Sequence, residues 1–198
     1  MITVEMSKKT IGILLFNDVE LLDFAGPLEV FTSANYLKEN DVYDVRTVGL
    51  TEKVIVSKSL LEIKPTELVD EKKGYDLFLI PGGFGTRPII KDEEVLSVLK
   101  KVIENSGRTA TVCTGSLILA KLGYLKDKKA TSHHLALDIL QKQDESMEIC
   151  TGERYVDNGR FVTSAGVSAG IDMSLYLVEQ DLGKEARDTT ASYMEYLG

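Results

Sequence analysis

The chain has 198 residues, 43% hydrophobic and 7% aromatic, with 23 Lys plus Arg against 31 Asp plus Glu and a formal net charge of −8. That balance repels phosphate backbones and anionic headgroups, and the basic runs Lys8-Lys9, Lys72-Lys73 and Lys126–Lys129, broken by Asp127, are too short to reverse it, so no nucleic-acid or membrane partner is expected. No stretch reaches the roughly 18 apolar residues of a membrane span, and Met1–Thr10 lacks the apolar core of a signal peptide, so a cytoplasmic location with Cys113 and Cys150 reduced is expected.

Apolar runs of strand length alternate along the chain with segments of helical spacing. Strands are expected at Thr10–Phe16, Tyr43–Val48, Leu77–Ile80, Thr109–Cys113 and Arg160–Thr163. Helices are expected at Pro27–Leu37, Glu93–Asn105, Thr114–Leu122, His134–Gln143 and Ser168–Leu182, with a shorter one near Lys184–Tyr196. Asp157-Asn158-Gly159 reads as the turn of an antiparallel hairpin, and Thr51-Glu52-Lys53 as a second one. Continuous apolar strands such as Ile11–Phe16 suit a sheet buried on both faces, and strand–helix alternation implies parallel pairing. One domain over residues 1–198, with a core of about 10–196, is the simplest account: an α/β sandwich with a mostly parallel central sheet.

Ligands of open parallel sheets bind beyond the carboxyl ends of the strands. Three such ends carry unusual sequence. Thr109–Leu117 passes from a strand straight into a helical pattern with Cys113 at the junction, which resembles a nucleophile elbow: a sharp turn that projects the sulfur into a cleft, requires a small residue at Gly115, and sets the thiol at a helix start where its pKa falls. A buried structural thiol is the other reading, and is the one expected for Cys150. Asp23, flanked by apolar residues after the first strand, is expected to be desolvated and to hold a proton near neutral pH, with helix capping ahead of Pro27 as its alternative. Pro81-Gly82-Gly83-Phe84-Gly85 offers backbone N–H groups as an oxyanion hole, while Pro88 in the third glycine place speaks against a dinucleotide loop. His133 and His134 are the chain's two histidines; side chains of adjacent residues tend to diverge, so a metal pair is not expected.

Five segments together resemble the ThiJ/PfpI superfamily: Leu22–Phe31 (LDFAGPLEVF), Leu79–Gly85 (LIPGGFG), Val112–Ser116 (VCTGS), Ala130–His133 (ATSH) and Ala165–Asp172 (AGVSAGID). The resemblance implies a flavodoxin-like three-layer sandwich, a homodimer, a reactive Cys at position 113 and an acid at Asp23. Within the superfamily the segments are most similar to the isonitrile hydratase branch and to the ligand domains of AraC-type regulators. The hydratase branch implies Thr114 beside the nucleophile, a small-molecule substrate and no metal or organic cofactor. Gly82, Gly83 and His133 are the substrate-side candidates. The amidase branch places His where Thr114 stands, and the glyoxalase or deglycase branches share a histidine at His133 but carry Glu in place of Asp23. A thiol sensor built on Cys113 is the non-enzymatic alternative. The regulators add a helix-turn-helix module, which is not expected within these 198 residues.

Overall fold

The computed structural model describes residues 8–36, 41–51 and 53–197. In chain order the elements are β1 (Lys9–Leu15), α1 (Leu21–Tyr36), β2 (Tyr43–Gly49), β3 (Ile55–Val56), β4 (Glu62–Ile63), β5 (Glu67–Leu68), β6 (Leu77–Ile80), α2 (Thr86–Ile89), α3 (Glu93–Asn105), β7 (Arg108–Thr111), α4 (Ser116–Lys121), β8 (Lys129–Ala130), α5 (Leu137–Gln141), β9 (Glu148–Ile149), β10 (Tyr155–Asp157), β11 (Phe161–Ser164), α6 (Ala169–Leu182) and α7 (Lys184–Tyr193). Short 3₁₀ turns at Cys113–Gly115 and His134–Ala136 lead into α4 and α5.

Seven strands form one sheet in the order β10-β11-β7-β6-β1-β2-β5, parallel except for β10. From β1 the chain winds outward to β2, whereas β6, β7 and β11 step away in the other direction, so the strand order reverses between β1 and β6. Right-handed crossovers then put α1 on one face and α3 and α4 on the other, and α6 and α7 return to pack with α1. The inner strands are apolar on both sides: Ile11, Ile13, Leu14, Leu15, Phe78, Leu79 and Ile80 are all essentially inaccessible. This is the α/β architecture expected from the continuous apolar runs.

Side chains fix the element ends. Asp92 caps α3 by accepting from the N–H groups of Glu94 and Val95, both at 3.1 Å. Asn35, near the end of α1, accepts from the N–H groups of Val42 and Tyr43 and donates to the Tyr43 carbonyl, which docks the helix onto the start of β2. The Asp157–Gly159 hairpin forms as expected between β10 and β11.

Two local expectations are corrected. The helix expected at Pro27–Leu37 begins six residues earlier, at Leu21, and carries Pro27 in its second turn; Leu37 lies outside the described residues. Pro27 lacks the N–H that would bond the Asp23 carbonyl, so the proline loosens the turn bearing the acid instead of starting the helix. The hairpin expected at Thr51–Lys53 includes Glu52, which lies outside the described residues, and among the described residues the strands on either side of it, β2 and β3, do not pair with one another. Instead β3 pairs antiparallel with β4, and the turn falls at Ser57–Leu61, because β2 is already flanked by β1 and β5.

The β1–β6 junction beneath the strand ends is tightly packed. A Cβ on Gly12 would lie 2.8 Å from three ring atoms of Tyr75, and that ring is tied by its hydroxyl to Glu67 at 2.6 Å and stacked on Phe78. Gly12→Ala is therefore expected to cost about 1–3 kcal/mol, or about 2–4 °C of melting temperature per kcal/mol. Thermal denaturation checks this, and the same substitution on a Tyr75→Ala background should cost clearly less; equal losses on both backgrounds would exclude the ring contact as the cause.

Candidate active site

The site lies where the strand order reverses. Three connections meet there: the one after β1, which carries Glu20 and Asp23; the one after β6, with Gly82 and Gly83; and the turn after β7, with Cys113 and Thr114. Cys113 has φ +56°, the left-handed backbone expected of a nucleophile elbow and strained for a residue with a Cβ. Two hydroxyls hold it there, with Ser132 Oγ at 2.8 Å and Ser116 Oγ at 3.1 Å both donating to the Cys113 carbonyl. Its N–H donates to the Ala165 carbonyl at 3.1 Å. Gly115 is required for the sharp turn, since a Cβ there would sit 2.2 Å from the Ile80 carbonyl oxygen.

Asp23 is fully buried within the first turn of α1 and does not cap it. Its Oδ2 accepts the Gly82 N–H at 2.9 Å, while Oδ1 is buried without a well-aligned hydrogen-bond partner. A Cβ on Gly82 would lie 2.8 Å from Asp23 Oδ2, 2.8 Å from Cys113 Cβ and 2.6 Å from the Thr114 nitrogen, so this glycine lets the acid and the sulfur approach one another. Burial raises the Asp23 pKa to about 7 against the pull of the Gly82 N–H, as expected from its apolar flanks.

The thiol departs from expectation. Burial and then the Asp23 carboxylate push Cys113 up to about 12, although the Thr114 N–H directed at the sulfur favours the thiolate. A helix start does not lower this pKa, because desolvation and a neighbouring negative charge outweigh it. The resting pair is thus a thiol with a carboxyl that changes protonation near neutral pH.

The expected oxyanion donors are also corrected. The Gly82 N–H is committed to Asp23, and the Gly83 N–H donates to Thr114 Oγ1 at 3.0 Å. Thr114 Oγ1 in turn lies 3.2 Å from the Gly83 carbonyl and 3.2 Å from Thr86 Oγ1, so its hydroxyl fastens the glycine loop to the elbow. The Thr114 N–H remains as the backbone donor facing the sulfur.

Glu20, Lys58, Phe84, Arg87, His133 and Val167 join Cys113 in lining a cleft of about 390 Å³. His133 caps the turn into α5 by accepting the Leu135 N–H on Nδ1, and its ring stacks on His134 at 4.4 Å between centroids, so the two histidines converge where divergence was expected. Burial and His134 hold His133 below the usual imidazole range, which favours its neutral form. Glu20, Lys58 and Arg87 carried no sequence signal, and Val167 was covered only by the Ala165–Asp172 segment without being singled out. Val167 has φ +50°, a strained backbone for a β-branched residue. Cys150 lies away from this cleft, and both cysteines are free. Among the described residues no cluster of three or more His, Cys, Asp or Glu is placed to hold a metal, and no helix is long and apolar enough to cross a membrane.

A sequence model of the DJ-1/PfpI family matches residues 9–180. The chain is 31% identical over 186 residues to the isonitrile hydratase of Pseudomonas putida, covering 94% of this chain and 78% of that protein. It is 29% identical over 177 residues to the HTH-type transcriptional regulator GbdR of Pseudomonas aeruginosa, covering 89% of this chain but only 48% of the regulator. A solved structure of a THiJ/PfpI family protein from Pseudomonas syringae superposes with a TM-score of 0.84 at 27% identity, covering 98% of this chain and 77% of that one.

A carboxyl whose pKa is raised by folding stabilises the fold fully below its unfolded value, near 4, and loses that contribution as pH rises through about 7. Asp23→Asn should therefore gain in melting temperature relative to the wild type as pH climbs from 4 to 7, and level off above. A difference curve that stays flat over that range would remove Asp23 as the titrating group.

Proposed function

The chain belongs to the DJ-1/PfpI family, and from that premise we propose that it hydrates isonitriles to N-substituted formamides with Cys113 as nucleophile and Asp23 as acid and base. The observation that carries this reading is the buried pair itself, a thiol packed against a carboxyl that exchanges its proton near neutral pH. Such a carboxyl serves as base in one step and acid in the next. The likeness to an isonitrile hydratase over 94% of the chain supports the same choice.

In the first half-reaction ionised Asp23 takes the Cys113 thiol proton, the sulfur bonds to the terminal isonitrile carbon, and Asp23 returns the proton to that carbon. S–C and C–H bonds form, giving a thioimidate. In the second, Asp23 removes a proton from water as its oxygen bonds to the same carbon, and passes that proton to nitrogen. The resulting adduct releases sulfur as the C–S bond breaks, and its hydroxyl proton returns through Asp23 to the thiol. The balance is one isonitrile and one water to one formamide, with the pair restored. The Thr114 N–H lies where it favours negative charge on the sulfur at the start and end of this cycle.

Thr114 acts in this scheme as a positioning residue. Its hydroxyl takes the Gly83 N–H and holds the loop whose neighbouring Gly82 N–H orients Asp23. The resting-state redox sensor is less well supported, because a buried thiol beside a carboxylate is held in its protonated, weakly nucleophilic form. Glyoxalase chemistry relying on His133 lacks a proton path: among the described residues no hydrogen bond joins His133 to Cys113, and Nδ1 is engaged by Leu135.

Loss of the isonitrile infrared band, with formamide measured in parallel for a small alkyl isonitrile, tests the proposal. Turnover is expected in the wild type and should be abolished in Cys113→Ala and Asp23→Asn. Thr114→Val leaves the half-buried Gly83 N–H without its acceptor and should lower kcat by about tenfold. Absence of turnover in folded, reduced wild type, or full activity in either of the first two variants, would overturn it.

A further inference from the structure

The mouth of the Cys113 cleft is built from an exposed aromatic ring with two cations close to it. Phe84 is 54% exposed, the Lys58 ammonium lies 5.1 Å from its ring centroid, and the Arg87 guanidinium carbon lies 4.9 Å from it. All three side chains line the same cleft as the sulfur. Lys58 is neutralised by Glu20 at 2.8 Å, whereas Arg87 pairs with no carboxylate among the described residues. Of the three charged side chains at the mouth, Glu20 and Lys58 compensate one another and Arg87 does not, on a chain whose formal net charge is −8.

Holding a guanidinium over an aromatic face limits its rotamers while leaving its N–H fork free to bind. In a protein with a surplus of carboxylates, an exposed arginine left without one, in the same cleft as the candidate nucleophile, is free to recruit an anion from solution. The exposed side chains of Phe84 and Leu135 add apolar surface to the mouth beside that charge. One unpaired guanidinium suits a single anionic group, and its planar fork suits a carboxylate, which it can bind with two parallel hydrogen bonds.

We propose that Arg87, braced on Phe84, is the specificity-determining residue of this cleft and selects small electrophiles bearing a carboxylate, so that the isonitriles taken are carboxylate-bearing ones. The inference rests on reading the Cys113 cleft as a substrate site. It does not require that the chemistry there be isonitrile hydration, and the experiment separates the two.

Iodoacetate and iodoacetamide are near-isosteric probes differing by one negative charge. Each alkylates Cys113 by the same step: the sulfur displaces iodide as the S–C bond forms and the C–I bond breaks, and the thiol proton passes to Asp23. The ratio of their rate constants at Cys113, followed by intact mass in a Cys150→Ser background, reads anion selection directly. Arg87→Gln is expected to lower the iodoacetate-to-iodoacetamide ratio by about fivefold, the upper scale of one solvent-exposed ion pair. Arg87→Glu is expected to lower it further. Lys126→Gln, which changes net charge equally on an exposed turn away from the cleft, should leave the ratio at its wild-type value. An unchanged ratio in Arg87→Gln, or an equal fall in Lys126→Gln, would overturn the proposal. If turnover is found, isocyanoacetate should show a lower KM than its methyl ester, and Arg87→Gln should abolish the difference. Loss of all isonitrile turnover with the alkylation ratio still dependent on Arg87 would reject hydration and keep anion selection.

Discussion

The arrangement that the rest of the site depends on is the burial of one carboxyl against one thiol with only one well-formed hydrogen bond to the acid. Asp23 gives up its hydration on folding and receives in return the Gly82 N–H, while its second oxygen has no well-aligned partner. Uncompensated burial of a charge costs several kcal/mol unless the group takes up a proton. The protein therefore keeps a group whose most stable state at neutral pH is balanced between two forms. That balance sets the thiol too, because a negative carboxylate beside Cys113 resists a second negative charge on sulfur. Acid and nucleophile thus act on one another, the charge of the first holding the second in its thiol form.

Steric features keep the pair together. Gly82 leaves out the one atom that would separate acid from sulfur, and Gly115 lets the elbow pass under the Ile80 carbonyl. The left-handed backbone at Cys113 is held by hydroxyls from two separate segments, Ser116 and Ser132. Ser132 belongs to the Ala130–His133 segment, so that stretch supports the nucleophile through its serine while its histidine shapes the cleft wall. Where relatives such as the regulator GbdR share this domain over about half of their length, the same sheet serves a protein of a different kind, and the difference must arise outside the shared scaffold or at the cleft mouth.

Much of this was legible in the sequence because the relevant signals are local. Apolar runs four to seven residues long mark the inner strands, the strand-to-helix junction marks Cys113, and an acid between Leu22 and Phe24 announces its own desolvation. Two-residue strands such as β3, β4 and β8 have no run to read, and the start of α1 was misplaced because Pro27 is tolerated in a second turn. The thiol's raised pKa, the commitment of the Gly82 and Gly83 N–H groups, and the Glu20–Lys58 contact depend on segments as distant in the chain as Asp23 and Cys113 meeting in space. Nothing in the periodicity of either segment encodes such a meeting.

The order of strands in the sheet also bears on time. Asp23, Gly82, Cys113 and Val167 follow β1, β6, β7 and β11, and these strands pair in parallel, so every contact among the four residues awaits a long crossover connection. Such non-local pairings form late in folding. Until they form, Cys113 is an unburied thiol with an ordinary pKa and no carboxyl to restrain it. During synthesis the chain thus passes through an interval in which its one decisive sulfur is open to indiscriminate oxidation or alkylation, and closure of the sheet both ends that exposure and creates the chemistry.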